Sequence, residues 1–173
     1  MNARTPAAKL TTALYRVKLG LSAYVSYLVA CGMSQAFSEY VLYEPILRIL
    51  GSRGYTVWCE HECPGIAQPG SGDKKRIDFY ATGSSIEFAI EVKWVKTAKP
   101  NIKRDLEKLE AFQADKPNAL ALLCVFGRKS ELKGLTLPAG TFKERGSAVY
   151  ADLGKAKYGC RIYKLLTPKG KSR

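Results

Sequence analysis

The sequence predicts one α/β domain with a mixed central sheet, and three patterns carry that prediction. Near the middle of the 173-residue chain, two runs rich in aromatic and β-branched residues flank a short loop, which is typical of a β-hairpin. Amphipathic helical patterns lie before and after that hairpin. The run Ala119–Phe126 is apolar on both faces and follows a helix, as expected of a central strand reached by a crossover connection.

The predicted order of elements is helix, strand, hairpin, helix, strand, or αβββαβ, preceded by an extra N-terminal helix. The length suits one domain with its own core and is too short for two ordinary domains. We therefore assign residues 1–173 to a single domain. It consists of an N-terminal helical extension (1–33), a core (about 34–126), and C-terminal strands with a basic tail (127–173).

The chain is strongly basic, with 28 Lys and Arg against 15 Asp and Glu and a formal net charge of +13. Such an excess favours polyanions, because nucleic acid releases condensed counterions when cations bind it. An anionic membrane surface or simple solubility are the alternative uses of this charge. The five cysteines are odd in number and widely spaced, which argues against a disulfide framework and predicts a reducing, cytoplasmic location.

Residues 1–33 are predicted to form an N-terminal helix. Apolar residues recur at three- and four-residue steps from Leu14 to Leu28, which gives the helix one face to dock. The apolar run Leu19–Ala30 is too short to span a bilayer, so no membrane partner is expected. Leu28–Cys31 has the form of a lipoprotein cleavage box, and a membrane-anchored protein processed at Cys31 remains the alternative.

A second helix is predicted from Ser34 to Leu50, where one stripe is apolar except for Glu39. An acid on an apolar stripe is rare unless it is paired or bound to a metal, so Glu39 is a candidate site residue. Glu44 is its rival, although Arg48 four residues on offers it an ordinary surface partner. Pro45 complicates both assignments, because it removes a backbone donor and can kink or restart the helix.

Tyr55 to Cys63 alternates as a strand, with Cys59, His61 and Cys63 on one face. These are zinc-ligand types, but residues two apart on a strand lie about 7 Å apart, too spread for one tetrahedral centre. Reduced thiols beside the chain's one histidine are therefore favoured over zinc. Glu60, on the opposite face, is a candidate accessory acid.

A hairpin is predicted between Lys74 and Trp94, with Thr82–Ser85 as a four-residue loop. Pairing Ala81 with Ile86 sets the register. That register places Asp78 opposite Ala89 and Arg76 opposite Glu91. One face of the hairpin then carries Asp78, Ala89, Glu91 and Lys93. The other face is apolar and carries Ile77, Phe79, Phe88, Ile90, Val92 and Trp94.

The chemical signal in this hairpin is a pair of neighbouring carboxylates. Asp78 and Glu91 repel each other on adjacent strands, and a divalent cation removes the repulsion by binding both. Hard ions such as Mg²⁺ take oxygen ligands and usually keep several waters. Beside such an ion, Lys93 can act as a point charge near a phosphate. The pattern therefore predicts a metal site that acts on phosphate groups.

At these residues the chain resembles the PD-(D/E)xK nuclease superfamily. Ile77-Asp78 stands where that motif has Pro-Asp, and Glu91-Val92-Lys93 matches (D/E)-x-K. The resemblance implies a restriction-endonuclease-like fold and a Mg²⁺-dependent nuclease, with Mn²⁺ expected to substitute and DNA favoured over RNA as the partner. It implies that Asp78, Glu91 and the Val92 carbonyl hold the metal, and that Lys93 positions or activates the attacking water.

Nucleases of this superfamily often carry a glutamate on the helix before the sheet, and Glu39 is placed in that role ahead of Glu44. The alternative function is a catalytically inactive nucleic-acid-binding module with the same fold. If the protein cuts both strands of a duplex, a symmetric homodimer would place one site on each strand.

Basic residues on both sides of the hairpin are predicted to contact nucleic acid. One cluster precedes Asp78, after a loop rich in glycine and proline, and further cations follow the hairpin. The predicted contacts are Lys74, Lys75, Arg76, Lys96, Arg104 and Lys108. The last two lie on the charged face of a helix that Asn101 can cap, whose apolar stripe is Ile102, Leu106, Leu109 and Phe112. Lys108 and Asp105 of that helix are further candidates for the site, although charges on a helix surface are usually solvated.

The C-terminal part carries weaker patterns. Residues 127–146 are predicted to be loop-like, and residues 147–153 and 160–166 to be short strands or a strand and a turn. The tail 169–173 is basic and predicted to be disordered.

Overall fold

The structure is a computed structural model that describes residues 5–33, 38–83 and 85–166, with the backbone alone at Ala156. Its helices are α1 (Pro6–Ala30), α2 (Tyr43–Gly51), α3 (Lys103–Asp115) and α4 (Lys129–Lys133), and a 3-10 helix (Glu39–Leu42) leads into α2. Its strands are β1 (Thr56–Glu62), β2 (Arg76–Gly83), β3 (Ile86–Val95), β4 (Leu120–Arg128), β5 (Phe142–Glu144), β6 (Val149–Leu153) and β7 (Ala156–Leu165). The predicted mixed α/β class is confirmed, as is the additional N-terminal helix.

The strands form one seven-stranded sheet in the order β1-β2-β3-β4-β7-β5, with β6 also paired to β7. β3 and β4 are parallel and are joined through α3, whereas the other pairs are antiparallel. β4 is buried from Ala121 to Gly127, so the predicted central strand after a crossover helix is confirmed. Because parallel neighbours end at the same edge of a sheet, residues that follow β3 and β4 lie side by side there.

Helices cover both faces of the sheet. On one face, α1 and α2 bury their apolar residues against Phe79, Phe88 and Ile90. On the other face, Leu109 and Phe112 of α3 pack in a second cluster with alternate residues of β4 (Ala121, Leu123, Val125). This double cover explains why β4 is apolar on both sides.

The N-terminal segment forms the predicted helix, and α1 lies across the sheet with one buried face. Its buried polar residues are satisfied by backbone carbonyls of the segment around β6. Lys18 donates to Ser147 at 2.6 Å, and two serines of α1 donate to Val149 and Ala151 at 2.9 Å. Within the described ranges, no helix is both long and apolar enough to cross a bilayer.

The β2–β3 hairpin has a tighter turn than predicted. Gly83 pairs with Ile86, so Thr82 and Gly83 belong to β2, and the loop is not four residues long. Ser85 has a φ of 62°, a left-handed conformation that two-residue turns use. Ala81 consequently pairs with Phe88, two positions from the predicted register.

This shift corrects the predicted partners of the acids. Ala89 pairs with Tyr80 and not with Asp78, and the ladder ends at Phe79 and Ile90. The next positions along the two strands are Asp78 and Glu91, so Asp78, and not Arg76, is level with Glu91. A shift of two residues preserves which side each β3 residue faces.

The strand β1 is irregular at Glu60, which has a φ of 50° and interrupts the pairing with β2. A left-handed residue inside a strand reverses the alternation beyond it. His61 therefore stacks on Tyr80, with ring centroids 4.8 Å apart. Cys59 packs against the cluster beneath α1 and α2, whereas Cys63 and Tyr80 pack in the cluster beneath α3, so the prediction that Cys59, His61 and Cys63 share one face is wrong. All five cysteines are free.

A matching irregularity occurs on β2 at Asp78. Ile77 packs in the cluster beneath α3, whereas Phe79 packs in the cluster beneath α1 and α2. The prediction that Ile77 and Phe79 share one face is therefore wrong. The change of face around Asp78 arises opposite the irregular residue of β1.

The prediction of one helix from Ser34 to Leu50 is also wrong. Residues 34–37 lie outside the described part of the chain, and the 3-10 helix precedes a separate α2 that begins at Tyr43. Pro45 falls in the first turn of α2, where its missing N–H has no intrahelical acceptor to lose. The predicted apolar stripe survives, since Leu42, Ile46 and Leu50 are buried.

The C-terminal part is more regular than predicted. β7 is a ten-residue strand, and β5 and α4 occupy part of the region predicted to be loop-like. Two cations within β7, Arg161 and Lys164, interrupt its apolar pattern in the sequence. The basic tail 169–173 lies outside the described residues.

Candidate active site

The candidate site begins where the β2–β3 ladder ends. At Asp78 and Glu91 the side chains replace regular pairing: the Asp78 N–H donates to Glu91 Oε1 at 3.3 Å, and the Val92 N–H donates to Asp78 Oδ2 at 2.6 Å. Each carboxylate is thus anchored by the backbone of the opposite strand. The two acids of the predicted motif are brought together at the interior of the sheet.

Burial sets the electrostatics of the two acids. Glu91 is only 1% exposed, and its burial, followed by the neighbouring Asp78 charge, raises its pKa well above 4.5. Burial also raises the pKa of Asp78, although the Val92 N–H and the Lys108 ammonium oppose that rise. Both carboxylates therefore hold protons more readily than exposed acids do, unless a cation compensates them.

Lys108 supplies one such cation. Its ammonium forms an ion pair with Glu91 Oε2, outside the angles of a regular hydrogen bond, and donates to the Arg76 carbonyl at 2.9 Å. Burial opposes the charge on Lys108, but the carboxylates of Glu91 and Asp78 outweigh it and raise the pKa of Lys108. The sequence placed Lys108 on the charged face of its helix and named it as a candidate for the site; the structure turns its ammonium toward the acids.

Lys93 lies between two acids that come from different helices. Its ammonium is 3.2 Å from Asp105 Oδ2 of α3 and 3.8 Å from Glu39 Oε1 of the 3-10 helix. Asp105 is buried because it precedes Leu109 by four residues and Phe112 by seven, which places all three on one helix face. That spacing is the sequence signal that favours Asp105 as a site residue.

Glu39 and Glu44 take different positions. The Trp94 N–H donates to Glu39 Oε1 at 2.9 Å, which fixes the 3-10 helix against the end of β3 beside Lys93. Glu44 points outward, with its side chain 62% exposed, and pairs with Arg48 one turn later. The expected surface partner of Glu44 is therefore confirmed, and of the two acids only Glu39 reaches the site.

Tyr43 is a site residue that the sequence analysis did not propose, because it falls on the apolar stripe of the predicted second helix. Its hydroxyl lies 2.8 Å from Glu60 Oε1 and 2.9 Å from Asp78 Oδ1. A hydroxyl has one proton, so it can donate to only one of these carboxylates at a time. Burial, and then the Asp78 charge, raise the pKa of Tyr43, which stays protonated and orients Asp78. Its ring packs on Phe79 at 4.7 Å.

A cleft of about 420 Å³ that is rich in charge lies at this site, and Asp78, Lys93 and Lys108 are among the residues that line it. Its cations are Lys74, Lys75, Arg76, Lys93, Arg104 and Lys108, and its acids are Glu60, Asp78, Asp105 and Glu107. Five of the six predicted nucleic-acid contacts therefore line it. Lys74 is paired with Glu62, and the sixth contact, Lys96, lies over the Trp94 ring at 5.1 Å.

The donor atoms near the acids are those that a hard cation prefers. The Val92 N–H faces β2, and the carbonyl of the same strand residue faces the same edge, toward Asp78. Glu91 Oε2 faces the Lys108 ammonium, so a cation bound there would replace Lys108 as its partner. Among the described residues, no group of three or more His, Cys, Asp or Glu side chains is arranged to hold a metal. Two carboxylates, one carbonyl and waters fit Mg²⁺, which keeps several waters.

Comparison with known proteins adds no relative: no protein-family model, no curated protein and no solved structure matches this chain. Function is therefore inferred from the residues of the site and their geometry.

Proposed function

We propose that the protein is a Mg²⁺-dependent nuclease that hydrolyses phosphodiester bonds, with DNA favoured over RNA. The observation that carries the proposal is the pair of backbone-anchored carboxylates, Asp78 and Glu91, held together at the break in the ladder. Asp78 lines the cation-rich cleft, and Glu91 is buried beside it. Two neighbouring acids at a cleft for a polyanion are unfavourable for simple binding, and they are useful when a metal binds between them.

The order of elements supports a restriction-endonuclease-like fold. α2, β1, β2, β3, α3 and β4 follow one another in the αβββαβ order, and β3 and β4 are parallel. The acids and lysine of the motif all lie on the hairpin formed by β2 and β3. We propose that this part of the chain is the PD-(D/E)xK core, with α1 and β5–β7 as additions to it.

Each residue has a distinct role in the proposed reaction. Asp78, Glu91 and the Val92 carbonyl would hold Mg²⁺, which, when bound, activates water and offsets charge on the phosphate. Lys93 lines the cleft, and its ammonium pairs with Glu39 and Asp105 rather than with Asp78 or Glu91. It positions the attacking water or stabilises the charge that develops on the phosphate.

Glu39 and Asp105 act through Lys93. Both carboxylates lie within ion-pair distance of its ammonium, so they hold it at the site. Tyr43 acts through Asp78, since its hydroxyl orients that carboxylate. We treat these three as positioning residues.

A second candidate function, a nucleic-acid-binding module without turnover, is favoured by one observation. The Lys108 ammonium already pairs with Glu91, so the buried acids are partly neutralised without a metal. In a binding module that ion pair would be permanent, and the cleft would hold a phosphate through its cations alone.

Labelled substrates distinguish the two functions. Single-stranded, duplex and branched DNA, and the matching RNA, are incubated with the protein in Mg²⁺, in Mn²⁺ and in EDTA. The nuclease predicts cleavage in either metal and none in EDTA. Tight binding of DNA with no cleavage of any substrate would establish the binding module instead.

A further inference from the structure

A second basic surface lies at the same edge of the sheet as the candidate site. It is a groove of about 630 Å³ between α4, the end of α1 and the β6–β7 hairpin. We name it the basic groove, and its lining residues are Val29, Arg128, Lys129, Ser130, Lys133, Lys155, Lys157 and Tyr158. Five of these are cations, and among the described residues no carboxylate lines the groove. The cleft, by contrast, contains four acids.

The charge of the basic groove is only partly compensated. Lys129 is 3.6 Å from Asp152 at the rim and lies over the Tyr150 ring at 5.3 Å. Lys133, Lys155 and Lys157 are exposed. Cations held this close repel one another, so a groove of this kind is stabilised by a polyanion that contacts several of them together.

The register of the sheet places the basic groove beside the cleft. Val95 of β3 pairs with Gly127 of β4, and Arg128 pairs with Tyr158 at the start of β7. At about 3.3 Å per residue and about 4.8 Å per strand, the backbone of Arg128 lies about 11 Å from that of Lys93, and Lys157 lies about 16 Å away. Phosphates of one strand rise about 3.4 Å each along a duplex, so this span corresponds to roughly three to five phosphates.

We propose that the basic groove binds the sugar-phosphate backbone of duplex DNA whose scissile phosphate lies in the cleft. The position of the scissile phosphate rests on the proposed function, whereas backbone binding by the groove does not. The contact carries no sequence information, because it is made to phosphates. It lengthens the DNA site and fixes the direction in which the duplex leaves the cleft.

The test compares two charge-reversal variants of equal net charge. The groove variant carries Lys155→Glu with Lys157→Glu, both exposed on the hairpin. The control variant carries Lys9→Glu with Arg16→Glu, exposed positions of α1 that lie about 20–30 Å along the helix axis from Val29. Each variant lowers the formal net charge of +13 by four. Both should remain folded at the assay temperature, because the altered side chains are exposed. Lys157→Glu places a second carboxylate opposite Asp152, so the groove variant should melt slightly below the control variant.

Affinity for a 20-base-pair duplex is measured by fluorescence anisotropy in EDTA, across a series of salt concentrations. The groove variant should bind roughly tenfold more weakly than wild type at low salt, and the slope of log K against log salt should fall by about 2, as for two lost phosphate contacts. The control variant should stay within about twofold of wild type.

Equal losses in both variants would mean that only net charge matters, and would overturn the proposal, as would unchanged affinity in the groove variant. It would also be overturned if the groove variant kept its DNA affinity and lost binding to vesicles that contain phosphatidylserine. Binding is measured without metal, so this test does not depend on cleavage. If the wild type never cleaves DNA, the proposed nuclease function is wrong, but a loss of affinity in the groove variant would still support binding by the groove.

Discussion

At the scale of single residues, the buried pair Asp78 and Glu91 gives the protein an unusual dependence on pH. Both carboxyl pKa values lie above their ordinary values of 3.8 and 4.5, chiefly because of burial. The folded protein therefore holds more protons than the unfolded chain once pH exceeds those values, and stability falls as pH rises toward the folded pKa values.

We expect the melting temperature of the metal-free protein to fall as pH rises above the ordinary carboxyl pKa of 4.5, with Glu91 a main cause. Glu91→Gln removes the ionisation but can still accept the Asp78 N–H, so its melting temperature should fall less across the same range. At this length, a difference of about 1 kcal/mol corresponds to roughly 2–4 °C. Melting in EDTA across the pH range measures both slopes.

Glu44→Gln serves as the control for this measurement, because Glu44 is exposed and remote from the acids. It should follow the slope of the wild type. Added Mg²⁺ should raise the melting temperature of the wild type, most strongly at high pH, because a metal binds the ionised carboxylates of the folded state. If the melting temperatures of the wild type and of Glu91→Gln change equally with pH, the conclusion that burial raises the pKa of Glu91 is contradicted.

At the scale of elements, the short 3-10 helix decides which acid reaches the site. It places Glu39 against the Trp94 N–H and beside Lys93, whereas α2 turns Glu44 toward Arg48. We therefore expect Glu39→Gln to lower the rate of cleavage by about tenfold or more by weakening the hold on Lys93. Glu44→Gln should cleave as fast as wild type.

Cleavage rates of the two variants on one DNA substrate in Mg²⁺ provide the measurement, and their unchanged DNA affinities exclude a loss of binding. A greater loss of rate in Glu44→Gln than in Glu39→Gln would contradict this assignment and show that Glu44, not Glu39, acts at the site.

Sequence patterns were sufficient for most elements of the core and insufficient for their irregularities. Alternation and motif spacing placed Asp78, Glu91 and Lys93 on one hairpin, and the side that each β3 residue faces was predicted correctly even though the register was two residues off. The left-handed conformation of Glu60 reverses the face on which His61 lies, and no residue type in β1 predicts that conformation. A positive φ at a glutamate depends on its tertiary surroundings, so alternation alone could not reveal it.

Tyr43 was missed, and the contact of Lys108 with Glu91 was not predicted, for a similar reason. Both side chains are amphipathic, so a helix pattern assigns Tyr43 to the core and Lys108 to the charged face. Their polar ends reach the acids only because helices from both sides converge on the end of the β2–β3 ladder. Asp105 alone carried a readable signal, since its spacing from Leu109 and Phe112 places it on the buried face.

At the scale of the whole molecule, the net charge of +13 makes the protein a candidate for binding polyanions. Six cations and four acids line the cleft, and three of the cations are the cluster Lys74–Arg76. We expect DNA affinity to fall steeply with salt, and charge reversal at Lys74, Lys75 and Arg76 together to weaken binding about equally on all sequences.

Anisotropy titrations on two unrelated duplexes, at salt concentrations from about 50 to 200 mM, measure this dependence. Affinity that does not change across that range would contradict electrostatic binding. Weakening on one duplex alone would show that the cluster reads bases, which phosphate contacts cannot do.

The central claim is that Asp78, Glu91 and Lys93 form a metal-dependent nuclease site, and cleavage of labelled DNA in Mg²⁺ by Asp78→Asn, Glu91→Gln and Lys93→Ala tests it most directly. Asn and Gln are chosen because Asp78→Ala would leave the Val92 N–H without its acceptor, at a cost of about 1–3 kcal/mol. Glu44→Gln and Lys99→Ala are the matched controls at exposed positions.

We predict that the two acid variants lose detectable cleavage while binding DNA as tightly as wild type or more tightly, because each removes negative charge that faces the phosphates. Lys93→Ala should lose on the order of 10²-fold or more in rate, as when other preorganised electrostatic groups are removed. Both controls should cleave normally. Wild-type cleavage by all three site variants would contradict the claim and place any nuclease activity elsewhere in the molecule.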